Sequence, residues 1–357
     1  AELPETARFG RESAAVTVGS SLVVGNSKQV FAQRLTLRRG VLDASSAAVT
    51  LASKQPAVYL QEGGSASFKS LSFGSSADSR VDFTLSGGTC TIGSAVPALP
   101  TEDSAFRLLG GVLHLTGANT TFGFPVEIGG AFTLDGAGRK HIFAVSPELS
   151  ADSEWTIDSP GGSVTFNDDL AVGRSLTVAA GSVNLESGVD VRNAEDVSEP
   201  FALVLKGGAT LNLTDISTHL SLPLDLTVEE GAELVQKCDS GYAMIFAHSA
   251  KVGGQVLSKG LHTFDKTTSG IRTGGATLVL AVPCVWTGAA GDGKWNTPGN
   301  WRDSAVPGST DFADISAATS VTLDADATVC GVIANSNAGE RKVTLTGSGT
   351  LTLRPLS

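Results

Sequence analysis

The chain has little of what most catalytic or nucleic-acid-binding proteins show. Charged residues are 17% of 357, with 25 basic against 36 acidic side chains, a net charge of -11 and no long run of either sign. A surface for nucleic-acid phosphates needs clustered Lys and Arg, so nucleic acid is excluded as an expected partner. No stretch of eighteen apolar residues occurs, so insertion of this chain into a membrane as a helix is not expected. The opening Ala1-Glu2-Leu3-Pro4-Glu5 lacks the basic and apolar regions of a signal peptide, and the chain reads as soluble, a processed product or part of a larger polypeptide. Leu3-Pro4-Glu5-Thr6 looks like a sortase signal but stands at the wrong terminus, and it is read as chance. The four cysteines, Cys90, Cys238, Cys284 and Cys330, never fall at C-x-x-C spacing, so neither a metal site nor a cofactor is expected from them. Cys90 alternates with Ile92 and reads as a small buried hydrophobe. Pairing among Cys238, Cys284 and Cys330 stays open, with Cys284 and Cys330 the candidates for a bridge in an oxidising compartment. The G-x-S-x-G, H-E-x-x-H, P-loop and EF-hand signatures are all missing. No segment carries a convincing 3.6-residue apolar period with caps, which leaves little room for helix.

What is abundant is glycine, 42 in all, amid Thr, Ser, Val, Leu and Ala. Apolar residues alternate in short runs such as Val49-Thr50-Leu51, Leu113-His114-Leu115, Leu176-Thr177-Val178 and Leu211-Asn212-Leu213, the pattern of strands with one buried face. A Gly-x-apolar-x-apolar motif recurs at Gly40, Gly64, Gly88, Gly111, Gly130, Gly162 and Gly181, then more loosely at Gly208, Gly231, Gly254 and Gly275. Successive positions in this series differ by 24, 24, 23, 19, 32, 19, 27, 23, 23 and 21, a period that belongs to repeat architectures. Gly-Gly pairs are compatible with stacked hairpins. The constant position of the apolar pair after the Gly favours coil-on-coil register instead. The expected fold is therefore all-β, a parallel β-helix of about 23–24 residues per coil. After Gly208 and Gly275 the pair moves one place along, which predicts a local bulge or an extra turn residue.

A coil longer than the mean is expected to push its surplus out as a loop, and loops are where solenoids carry function. The longest step, from Gly130 to Gly162, holds Arg139-Lys140-His141, and the next longest, from Gly181 to Gly208, holds Asp190, Arg192, Glu195 and Asp196. Arg139 and His141 are candidates to bind an anionic sugar or to move a proton, against the plainer reading of a polar loop tip. Asn167-Asp168-Asp169 is the densest acidic cluster; Asp168 and Asp169 are candidates for a carboxylate pair, against a solvated turn between coils. His114 and His219 read as outward or satisfied strand positions rather than metal ligands.

Composition changes near Pro283, dividing the chain into a β-helix over 1–282 and a tryptophan-containing module over 283–357 that continues into strands. Three of the four tryptophans lie close together, at Trp286, Trp295 and Trp301. Trp295 and Trp301 are candidates to stack on sugar rings, against the plainer reading of a small core capping the solenoid. The string Trp286-Thr-Gly, Trp295-Asn, Asn300-Trp301, Asp311-Phe-Ala-Asp314 and Val321-Thr-Leu323 resembles modules of bacterial surface proteins with autotransporter-associated β-strand repeats. That resemblance implies a secreted or cell-surface β-helix, serving as passenger, adhesin, stalk or platform; a self-secreting autotransporter with its own membrane barrel is not the expectation for this chain. The expected function is an extracellular structural or adhesion β-helix without catalysis. The alternative is a polysaccharide lyase, glycosidase or glycan-binding module whose partner is an extracellular polysaccharide or cell-surface glycan.

Overall fold

A computed structural model describes residues 6–354 except 10–14, 19–20, 24–28, 33, 52–56, 75–79, 194–199, 216–218, 221–223, 240–241, 265–269 and 335–342. Strand accounts for 57% and helix for 2%, in a β-solenoid of about 12 turns. Among the described residues strand pairing is parallel, apart from a hairpin at Ser249–Val252 and Gln255–Val256 and the pairing of Gly260–Phe264 with Thr277–Val282. Parallel stacking of consecutive coils excludes the hairpin alternative.

Three strands make one coil, and each stacks on its counterpart a coil away. Val81–Leu85 lies between Ala57–Gln61 and Ala105–Leu108 on the first face. On the second face one column runs Val41, Ser65, Thr89, Val112, Thr133, Thr156, Thr177, Val204, Thr227 and Lys251. On the third, Thr120–Phe122, Lys140–Phe143 and the end of Glu154–Phe166 follow one another. Successive positions in the second-face column differ by 24, 24, 23, 21, 23, 21, 27, 23 and 24, so the true coil is more regular than the glycine spacing.

The long step from Gly130 to Gly162 is not a protrusion. Ala131 pairs with Glu154, so the coil that starts there is of ordinary length and Ser153 takes the position of Gly130. Gly162 lies further along the same coil, just before Ser163 on the third face. The glycine has changed corners. At Gly208 the expected irregularity falls in the turn: Ala209 pairs with Gly181 and the ladder runs on without a shift, so Gly208 is one extra turn residue.

Glycine recurs at the first of these corners for a steric reason. Gly64, Gly88 and Gly111 have φ of +71°, +75° and +81°, and a Cβ on Gly88 would overlap the Gly64 carbonyl oxygen one coil below. Both the left-handed backbone and the close approach favour glycine.

Inside the coils, like stacks on like. Leu113, Leu134, Ile157, Val178, Leu205 and Val228 form one buried column. Tyr59, Phe83 and Phe106 stack face to face at 4.7 and 4.4 Å, as do Phe122, Phe143 and Phe166 at 4.6 and 5.2 Å. Trp155 meets Phe143 and Phe166 edge-on. Each such side chain contributes roughly 1.5–3 kcal/mol through burial. The buried residues fall into two clusters, one reaching Val282 and the other beginning at Cys284.

Candidate functional site

The tryptophans form the centre of the second cluster. Trp295 and Trp301 are 0% and 2% exposed and pack edge to face at 4.9 Å, while Trp286 meets Trp301 at 5.1 Å. The Trp301 indole N–H donates to the Trp295 carbonyl at 2.6 Å. Buried Asn300 closes the loop above them: its amide donates to Asp292 Oδ1 at 2.6 Å and to the Lys294 carbonyl, and its Oδ1 accepts from the Ala290 N–H. Sugar stacking needs an open indole face. These faces are covered, which leaves Trp295 and Trp301 as core rather than as a binding platform.

His141 is likewise inside. It lies in the strand Lys140–Phe143, in register with Thr120 and Val164, and is fully buried. The expectation of a loop-tip histidine is thus corrected: inward parity on a strand, not a protruding loop, sets its environment. Arg139 remains exposed at the corner, where its Nε donates to the Thr116 carbonyl at 3.3 Å.

Asp168 and Asp169 join coils. Asp168 accepts the N–H of Ser146 and of Asp169, while Asp169 accepts the N–H of Asp190 at 2.9 Å. Their oxygens cap backbone donors one coil below and one coil above. Asp190 and Arg192, expected on a loop, lie in the strand Asp190–Asn193, paired with Leu170–Val172. Glu195 and Asp196 fall outside the described residues, as does the side chain of His219. The four cysteines are free. Cys284 aligns with Ala313 and Ala313 with Val332, which puts Cys330 two rungs away and out of line. At about 4.8 Å per rung, that separation exceeds the roughly 7 Å limit of a disulfide.

What the fold does gather is a polar column on the outside of the second face. His114 Nδ1 bonds Asp135 Oδ2 at 2.5 Å, and Asp158 follows Asp135 in register one coil on. Both members of the pair are about one-third exposed. A second pair, His248 with Asp225 at 2.8 Å, lies further along the same face. Just past Asp158 an open groove of about 420 Å³ runs over the corner, floored by Gly162, Gly181 and Gly208 and edged by Pro160, Ser182 and Thr210. Beside it Thr165, Asn184 and Asn212 form a side-chain hydrogen-bond ladder at 3.2 and 2.9 Å. The sequence does not announce this grouping, because its members stand a whole coil apart along the chain and only the coil register makes them neighbours. Among the described residues, no group of three or more His, Cys, Asp or Glu converges as a metal site.

Comparison with protein-family models, curated proteins and solved structures finds no match for the chain. No family assignment follows.

Proposed function

We propose that the chain is a structural β-solenoid of the bacterial cell surface or extracellular space, a rigid spacer or adhesion surface without catalytic activity. The observation that supports this most is the use the fold makes of its chemically capable side chains. Asp168 and Asp169 cap backbone donors, His141 lies in the core, and Trp295 and Trp301 fill a core of their own. About 12 turns at about 4.8 Å each make a stack of roughly 55–60 Å, a reach suited to a spacer. The resemblance of the Trp286–Trp301 segment to bacterial surface modules points the same way.

A second reading takes the outer face as a glycan site. Asp135 and Asp158 on adjacent coils, His114 bonded to the first and the groove beyond the second favour it. Two carboxylates on one face are what a glycosidase requires. Incubation with neutral, uronic and sulfated polysaccharides, with polymer length followed by size-exclusion chromatography, separates the readings. The spacer leaves every polymer at its original length; shortening of any one of them refutes it.

A further inference from the structure

One stretch of the stack carries nearly all of the unanswered buried polarity among the described residues. Five buried side-chain atoms lack a hydrogen-bond partner, and four of them belong to His141, Ser153, Trp155 and Ser159; the fifth is on Trp295. The His141 ring and the Ser159 hydroxyl meet at a corner. His141 Nε2 lies 3.2 Å from the Gly136 carbonyl and donates to it, which leaves Nδ1 as a bare acceptor in the neutral ring. A Cβ on Gly136 would overlap the Ser159 hydroxyl and sit 2.9 Å from the His141 ring, so ring and hydroxyl close on the same small space.

We propose that this corner, Gly136–His141 packed on Ser159–Gly162, is an acid-labile joint in the solenoid, opened when His141 takes up a proton. A second proton on the ring creates a cation inside an apolar stack, which is costly without a paired charge. The elements around it supply none. The flanking strand Thr120–Phe122 carries no charged residue, and in the following strand Glu154 and Asp158 sit at half-buried or exposed positions while Val164 faces the ring. On its own segment Arg139 and Lys140 are exposed, and the nearby Asp135 is held outward by His114. Burial accordingly holds the imidazole below its ordinary value of 6.5, only partly offset by the Gly136 hydrogen bond.

The sign follows from linkage. The folded corner binds its proton less readily than the opened one, so its stability is complete above the ordinary histidine value and falls as pH drops from there toward the depressed folded value. Opening would loosen the rim of the groove at Pro160–Gly162 while coils further from the joint stay closed.

Backbone hydrogen exchange of the whole chain at about pH 7.5 and about pH 5, corrected for intrinsic rates, tests the joint. Peptides covering 131–143 and 154–166 are expected to lose protection roughly tenfold at the lower pH, with those covering 81–115 unchanged. His141→Leu should abolish the difference. It leaves His114 and His248 in place, so acid sensitivity that survives the substitution overturns the proposal. Should that variant fail to fold, titration of the wild-type His141 ring by NMR decides: a value at or above 6.5 is equally fatal, and one below it supports the joint.

Discussion

At the scale of single residues, the stack converts small chemical differences into position. Gly88 holds a corner where a side chain would strike the coil below, and its φ of +75° is one that L residues rarely adopt. Gly88→Val should therefore cost about 1–3 kcal/mol in strain plus the displacement of a neighbouring coil, measured as a lowered unfolding midpoint. Phe143 stacks between Phe122 and Phe166, and Phe143→Ala should cost about 3–5 kcal/mol in the same assay. Burial pushes the Cys90 thiol up to about 12, against the lowering effect of its contact with the Tyr59 hydroxyl, and burial pushes Cys284 up to about 11. Neither forms thiolate near neutrality, so alkylation of the native chain at about pH 8 should spare both, and denaturant should expose them to it. Rapid native labelling of Cys90 would contradict the packing described.

At the scale of elements, the coil is the unit of exchange. Because Phe132 pairs with Trp155 and Thr133 with Thr156, excising the segment 133–155 joins equivalent positions of two coils. That deletion should leave a folded solenoid one turn shorter, whereas removing about half as much from the same place should break the stack, as circular dichroism and thermal unfolding would show. The strands themselves were legible in sequence: alternation at Leu113-His114-Leu115 or Leu211-Asn212-Leu213 states which face is buried, and the structure buries those leucines. Corners were legible only in part. Gly130 and Gly162 carry the same local motif at different corners for different reasons: Gly130 has a left-handed φ of +54°, whereas at Gly162 a Cβ would strike the Arg139 carbonyl oxygen one coil below. A period measured on glycine alone therefore converts a corner change into an apparent long loop. The same error set His141 on a protrusion, although Thr120 and Val164 bracket it within a buried column.

For the whole molecule, the solenoid explains why site residues were harder to read than shape. Shape repeats along the chain and declares itself many times, while a grouping such as His114, Asp135 and Asp158 exists only once successive coils are aligned. Trp295 and Trp301 show the converse: sequence marks them as unusual, but clustering and burial alone distinguish a core from a platform, and both are products of the fold. The molecule that emerges is a stack whose polar groups mostly tie one coil to the next. Asp168 and Asp169 represent that claim best, because they were the foremost acidic candidates for chemistry and the structure uses them as links between coils. The decisive measurement is the doubly substituted Asp168→Ala, Asp169→Ala chain beside the wild type, with thermal unfolding and retention on immobilised polysaccharides recorded for both. Loss of these bonds should lower the unfolding temperature, at about 1 kcal/mol or less for each bond between coils because the freed donors can turn to water, and leave retention unchanged. Unaltered stability with lost retention would mean that the pair serves a ligand instead.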